Sequence, residues 1–306
     1  MKIIPLNEET PKARVAAAIG FFDGVHTAHR RLIETMKKEA RRRGIPSAVI
    51  TFDRHPKSVL TGNPYHYITP LSRKLRKIEA YDVDFVYLIR FSKEKAAMEP
   101  KAFIETYLKN IEVLVCGFDF SFGHRAQGSP ETLKAHAGFE TIVLKRQDHE
   151  GDKIGSTAIR EAIIGGDMRT VKVLLGEYYT IEGTVIHGSK KGRTIGYPTA
   201  NIDTHDYLVP KTGVYATRTH VNGAWHDSVS SVGYNPTLNR NEAVSVESHI
   251  FDFEEEVYGS NITVVFLKRL RDERAFESKA ALIEQIDSDV ENARDILKQY
   301  KLNQPL

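Results

Sequence analysis

Apolar and polar positions follow two regimes along this chain. Over residues 15–175, short apolar runs are separated by stretches with a 3.6-residue period. The run VAAAIGFF (15–22) predicts a buried strand. SAVITF (47–52), DFVYLI (84–89), EVLVCGF (112–118) and TIVLK (141–145) repeat the pattern. Helices are predicted between them, over about 26–43, 70–81, 100–110 and 130–137. In the first, Leu32, Ile33, Met36 and Ala40 share a face, Arg41, Arg42 and Arg43 close the last turn, and Gly44 follows as a stop signal. Strands spaced by helices imply an α/β domain with a Rossmann-like parallel sheet covered on both faces. Its ligands are expected beyond the C-terminal ends of the strands.

Residues 156–175 read as one or two short helices, and then the regime changes. From Tyr179 the strands YTIEGTVIHG, GVYATRTHV, DSVSSVGY, SVESHIFDF and NITVVFLKRL come without helices between them. Asn222-Gly223 and Tyr258-Gly259 are turn signals. Five or six strands at this spacing predict a small antiparallel β-barrel. A final helix over about 279–300 places Leu282, Ile286, Val290, Ala293 and Leu297 on one face. The domain boundary is expected near 176–179, giving domains 1–176 and 177–306.

Composition narrows the function classes. A chain of 306 residues suits two ordinary domains, and 41% hydrophobic with 27% charged residues is a soluble, globular balance. The formal charge is +3, from 43 basic and 40 acidic residues. That is too near neutral for a nucleic-acid coat, and it suits anionic small ligands. The lone Cys116 excludes an intrachain disulfide, and no paired cysteines offer a zinc site. The segment MKIIPLNEETPKA lacks the apolar core of a signal peptide, and no apolar run is long enough to cross a bilayer. The expectation is a cytoplasmic protein with neither nucleic-acid nor membrane partners.

The segment Gly20 to His29 leaves a strand, turns through Asp23-Gly24 and enters a helix. Unpaired N–H groups at a helix start favour anions. His26 and His29, three apart, lie on one face of the first turn, where they are placed to bind nucleotide phosphates. The plainer alternative is that one histidine caps the helix and the other is exposed. FDGVHTAH here resembles the FDGVHxGH motif of bacterial FAD synthetases in the HxGH nucleotidyltransferase superfamily. TFDRHP (51–56), ITPLSRKL (68–75), CGFDFSFG (116–123) and IGSTAIREAI (154–163) fit the same family in order. The resemblance implies phosphate contacts from His26 and His29 over a turn shaped by Phe22, Asp23 and Gly24. It implies further nucleotide contacts from Ser156, Thr157 and Arg160, and a flavin border of His55, Pro56, Asp119, Phe120 and Phe122. Ala28, Gly155 and Ala158 depart from the glycine, serine and arginine common in the family.

A second set begins at Gly188 and runs through Lys190, Gly192, Arg193 and Thr194. Glycines and basic residues in one loop make a phosphate cradle or a solvated basic hairpin, and the spacing is not that of a Walker P-loop. Thr199 and Asn201, two apart in extended chain, offer hard oxygens that suit Mg²⁺ shared with ATP. GRTIGYPTAN (192–201) resembles the riboflavin kinase motif GRTxGxPTAN. The resemblance extends to VGYNPTL (232–238), SVESHIFDF and KRLRDERAF (268–276), so that it covers nearly the whole chain. It implies a bifunctional riboflavin kinase/FAD synthetase, with ATP, riboflavin and FMN as substrates and Mg²⁺ as cofactor. It implies Glu247 as the base that takes the flavin hydroxyl proton and Arg271 near the flavin phosphate. Ser189 and Ser231 depart from the usual aspartate and asparagine. A chain that keeps one activity alone, or a non-catalytic flavin-binding regulator, is the alternative.

Overall fold

The structure is a computed structural model that describes residues 1–6, 14–136, 138–149, 151–188, 192–234 and 244–300. Ala137, Ser189, Lys190 and the Asn235-Pro236-Thr237 part of the VGYNPTL stretch lie outside the described residues. The chain forms two compact units, residues 1–156 and 157–306.

The first unit is built in chain order from β1 (Lys2–Leu6), β2 (Val15–Ile19), α1 (Thr27–Arg43), β3 (Ser47–Phe52), α2 (Pro56–Thr61), α3 (Leu71–Glu79) and β4 (Phe85–Ile89). There follow α4 (Lys93–Ala96), α5 (Pro100–Phe103), a π-helical turn (Ile104–Leu108), β5 (Ile111–Gly117), α6 (Pro130–Lys134), β6 (Glu140–Leu144) and the short hairpin β7 (Asp148–His149) and β8 (Asp152–Lys153). The sheet order is β1-β4-β3-β2-β5-β6, with every pairing parallel. From β2 the chain moves outward first to β3 and β4 and later to β5 and β6. The C-terminal end of β2 is therefore the switch point where a parallel sheet opens a ligand crevice.

All five residues of β2 are buried. On one face Ala16 and Ala18 pack with Val49, Val113 and Val115 against Leu32, Ile33, Met36 and Ala40 of α1. On the other, Ala17 and Ile19 pack with Ile50 and Leu114 against Phe103, Tyr107 and Leu108. The small side chains of VAAAI let helices close on both faces. The predicted strands 47–52, 84–89, 112–118 and 141–145 appear within a residue or two. The predicted helix 100–110 is instead α5 followed by the π-helical turn. The sequence reading omits β1, an edge strand whose alternating pattern is weak because it is exposed on one side and carries Pro5.

The second unit holds α7 (Ser156–Gly165, beginning at the last residue of the first unit) and α8 (Met168–Leu175). A closed antiparallel barrel follows: β9 (Tyr179–Ile186), β10 (Ala200–Asp203), β11 (Gly213–Val221), β12 (Ala224–Tyr234), β13 (Val244–Ile250) and β14 (Asn261–Arg271). The order is β10-β13-β12-β11-β14-β9. α9 (Lys279–Gln299) packs Ala293, Ile296 and Leu297 on Val214, Ala216, Val229 and Val265. At the β11–β12 turn, Asn222 and Gly223 both take positive φ, the type I′ geometry that Asn-Gly favours.

The alternate residues of β11 and β12 point into the barrel, and many are hydroxyls. Thr217, Thr219, Ser228, Ser230 and Ser248 are fully buried. Their oxygens close a ring: Thr217–Ser228 2.9 Å, Ser228–Thr219 2.9 Å, Thr219–Ser248 2.9 Å, Ser248–Ser230 3.1 Å and Ser230–Thr217 2.8 Å. In such a ring every hydroxyl gives one hydrogen bond and takes one, so no donor is stranded. The ring ties β11, β12 and β13 in one register. Thr217→Val keeps the shape but strands two partners, and it should cost about 1–3 kcal/mol. Denaturation followed by the fluorescence of Trp225, the sole tryptophan and a β12 residue, would read it; an unchanged midpoint would mean the ring contributes nothing.

Candidate active sites

The first site grows from the end of β2. Phe22 and Val25 adopt left-handed φ of 59° and 46°, and Gly24 lies at 87°, so the chain coils tightly before α1. The Asp23 carboxylate accepts the Thr69 N–H at 3.0 Å, and the Asp23 carbonyl accepts the Ser156 hydroxyl at 3.1 Å. His26 caps α1, its Nδ1 accepting the His29 N–H at 3.4 Å. The two imidazoles stack with centroids 3.6 Å apart, and His29 also packs on Phe22. His26 thus caps the helix, as the plainer alternative expects, but His29 is not exposed: it stacks on His26. Nδ1 of His29 is buried without a hydrogen-bond partner among the described residues.

Cations surround the pair. Lys77 donates to the Gly24 carbonyl at 2.6 Å, Arg30 to the Val25 carbonyl at 3.3 Å, and Lys153 of β8 pairs with Asp119 just beyond β5. Burial lowers the His26 pKa to about 3; Lys77, Lys153 and Arg30 add to the effect and Asp119 opposes it. Burial also holds His29 well below the ordinary imidazole range, with His26, Lys74 and Lys77 adding to it. Both rings are therefore neutral at pH 7 in a positive field, the condition of a site prepared for an anion.

The flavin-border residues are placed unevenly. His55 caps α2 and Pro56 opens it. The His55 ring stacks on Tyr65 at 4.0 Å and meets Phe21 edge-on at 4.7 Å. Tyr67 packs on both Tyr65 and Phe21, so His55 sits in an aromatic cluster that the sequence does not predict. Asp119 is exposed and tied to Lys153. Phe120 is half-buried. Phe122 packs inside the core against Phe103. Thr157 and Arg160 lie on α7 in the second unit.

The second site is built on β10 and β13. Asn201 and Glu247 are direct cross-strand partners. The Thr199 hydroxyl donates to the Glu247 carboxylate at 3.2 Å. Burial raises the Glu247 pKa, and the Thr199 hydrogen bond opposes the shift. Ser231 lies opposite Glu247 on β12. Gly188 leaves room for Asn201: a Cβ there would sit 2.3 Å from the Asn201 amide nitrogen and would push that side chain aside. Gly192 is required by backbone contact, because a Cβ there would sit 2.3 Å from the Tyr197 carbonyl oxygen. Arg193 is exposed and pairs with Glu256 at 3.0 Å; Thr194 stands beside it in the same 3₁₀ turn. Thr199, Arg193, Pro198, Phe253 and Tyr258 line one cleft. Arg271 is not in that group. Its guanidinium grips Asp289 of α9 at 2.7–3.0 Å, a partner the sequence reading did not anticipate.

Comparison with known proteins follows the same division. An FAD synthetase family model matches residues 8–158 and a riboflavin kinase (flavokinase) model matches 175–297. Proteins named bifunctional riboflavin kinase/FMN adenylyltransferase align over about nine-tenths of both chains. The one from Listeria monocytogenes is 42% identical over 284 residues, covering 90% of each chain. That from Bacillus subtilis is 41% identical over 293 residues, covering 92% of each. This chain belongs to the bifunctional riboflavin kinase/FMN adenylyltransferase family. A crystal structure from Streptococcus pneumoniae superposes with a TM-score of 0.86 at 34% identity, covering 96% of this chain and 99% of that one. It is described as a macrolide-efflux protein. That description stays with that protein; among the described residues of this chain no helix is long and apolar enough to cross a membrane.

The field at the first site sets a pH signature. With burial and cations lowering both imidazoles, neither His26 nor His29 should take a proton in the free protein between pH 5 and about 7. Bound polyphosphate offsets the cations and should move their titration upward. Proton NMR of the imidazole Hε1 resonances with and without ATP reads this. A free-protein titration near 6.5 would contradict it.

Proposed function

We propose that this chain makes FMN and then FAD: the barrel unit phosphorylates riboflavin with ATP, and the sheet unit adenylylates FMN with a second ATP. The observation that carries the reading is that the FAD synthetase model matches residues 8–158, which hold β2 to β6 of the parallel sheet, and the riboflavin kinase model matches 175–297, which hold the barrel. The single buried Cys116 suits a reducing cytoplasm, where we place the enzyme.

In the first reaction the riboflavin 5′-hydroxyl attacks the γ-phosphorus of ATP, its proton passes to Glu247, and ADP leaves. A carboxylate with a raised pKa is suited to accept that proton. Thr199 and Asn201 fit Mg²⁺ by donor type: a hydroxyl oxygen and an amide oxygen beside a carboxylate, few enough that ATP phosphates complete the shell. The ion, when bound, neutralises phosphate charge. Thr199 holds Glu247, and Gly188, Lys190, Gly192, Arg193 and Thr194 form the nucleotide loop. Arg271, set by Asp289, is the cation for the flavin phosphate.

In the second reaction an FMN phosphate oxygen attacks the α-phosphorus of ATP and pyrophosphate leaves. Here the protein positions the reactants and stabilises charge. His26 and His29 face the phosphates as hydrogen-bond donors over the turn of Phe22, Asp23 and Gly24, joined by Ser156. His55, Pro56, Asp119 and Phe120 form the flavin side, with Phe122 packed behind them in the core.

Two substitutions separate the halves. Glu247→Gln should cut FMN formation by roughly 10²–10⁴-fold, the usual worth of a general base. Adenylylation of supplied FMN should stay unchanged. His29→Ala should remove FAD formation and leave riboflavin phosphorylation intact. Wild-type turnover in either variant would take that residue out of the mechanism, and loss of both activities in one variant would mean the modules are not independent.

A further inference from the structure

Lys74 lies on the inner face of α3 and is 2% exposed. Its Nζ donates to the Phe21 carbonyl at 3.1 Å, the Phe52 carbonyl at 2.9 Å and the Thr51 hydroxyl at 3.2 Å. The Thr51 hydroxyl in turn donates to the same Phe21 carbonyl at 3.0 Å. All three ammonium protons are therefore used, each on a neutral oxygen at the C-terminal ends of β2 and β3. The charge also stands 4.5 Å from the Phe21 ring centroid. Among the described residues no carboxylate forms an ion pair with it. Asp23 in the turn and Asp53 after β3 are the acidic groups near enough to favour its charge.

Burying an ammonium without a paired carboxylate is costly, and a side-chain amide could bond carbonyls without a charge. What an amide lacks is the field. Lys74 acts electrostatically on His29, and its first anchor, Phe21, directly precedes the left-handed Phe22 from which the histidine turn begins. We propose that Lys74 is a positioning residue for adenylyl transfer: it clamps the Phe21 carbonyl beneath the His26–His29 turn and supplies a fixed buried positive charge that draws nucleotide phosphates there. The inference rests on reading the first site as the adenylyltransferase. Burial moves the Lys74 pKa from 10.5 down to about 8, so the cation is largely present at pH 7 and is lost as pH rises through about 8. The groups facing it are Asp23, Asp53 and His29, with Lys77 one turn along its own helix.

The whole two-activity chain is the test object, because riboflavin phosphorylation reports on integrity independently. Lys74→Met removes charge and hydrogen bonds, while Lys74→Gln keeps donors without charge. Both variants should lose at least about tenfold in kcat/KM for FAD formation, with KM for ATP raised and FMN formation unchanged. In both, the His29 imidazole should titrate at higher pH than in wild type, a shift that a purely structural lysine would not produce. Wild-type adenylylation by the Gln variant would reduce Lys74 to a hydrogen-bond donor and overturn the charge claim. Wild-type adenylylation by the Met variant would overturn the proposal entirely. Should neither variant fold, the wild-type pH profile decides: FAD formation relative to FMN formation should fall through about pH 8, and a flat ratio overturns the proposal. Wild-type protein that makes no FAD at all would remove the site reading itself, and the proposal with it.

Discussion

Burial of β2 between β3 and β5 is the constraint on which the first site depends. Five residues, VAAAI, carry no polar side chain and are covered on both faces, so the strand has one place in the sheet. Its small side chains let α1 pack close on one face, and α1 in turn brings its N-terminus to the end of β2. The sheet order reverses there, which opens the crevice. The left-handed turn of Phe22 to Val25 converts strand direction into helix direction within a few residues and puts two imidazoles in contact. The barrel follows a different logic. Closure gives every strand two neighbours, and the inward hydroxyl ring holds β11, β12 and β13 together. Glu247 thereby stands opposite Asn201.

The two sites handle charge in opposite ways. The first gathers Lys74, Lys77, Lys153 and Arg30 around neutral imidazoles, so that an incoming anion meets cations and dipoles already in place. The second keeps a half-buried carboxylate with raised proton affinity beside a hydroxyl and an amide. On the proposed assignment of one reaction to each site, this difference matches the chemistry. Attack by a phosphate oxygen needs no base, whereas attack by a sugar-chain hydroxyl does.

Much of this is legible in the sequence because the signals are local. Apolar runs locate the central strands, and Leu32, Ile33, Met36 and Ala40 locate the face of α1. Asn-Gly gives the barrel hairpin, and the stretches FDGVHTAH, GRTIGYPTAN and SVESHIFDF point to the histidines, to Thr199 and Asn201, and to Glu247 as candidates. What escapes is set by tertiary contact. Strand β1 is an exposed edge with a proline, so its period is weak. Lys74 breaks an apolar stripe formed by Leu75 and Ile78, and that break is the signal that could have found it; its reason appears only when three oxygens from two strands meet its ammonium. Arg271 reads as a ligand-facing cation, yet its partner Asp289 comes from a helix that sequence alone does not place against it. Phe122 reads with its neighbours as a flavin border, while the fold packs it against Phe103.

The most direct test of the account is a product assay on the purified protein with Mg²⁺ and ATP, given riboflavin in one reaction and FMN in another, with the flavins separated. The account predicts FMN and FAD from riboflavin, and FAD from FMN. FMN accumulating from riboflavin without FAD, FAD from FMN with nothing from riboflavin, or no product in either reaction would contradict it.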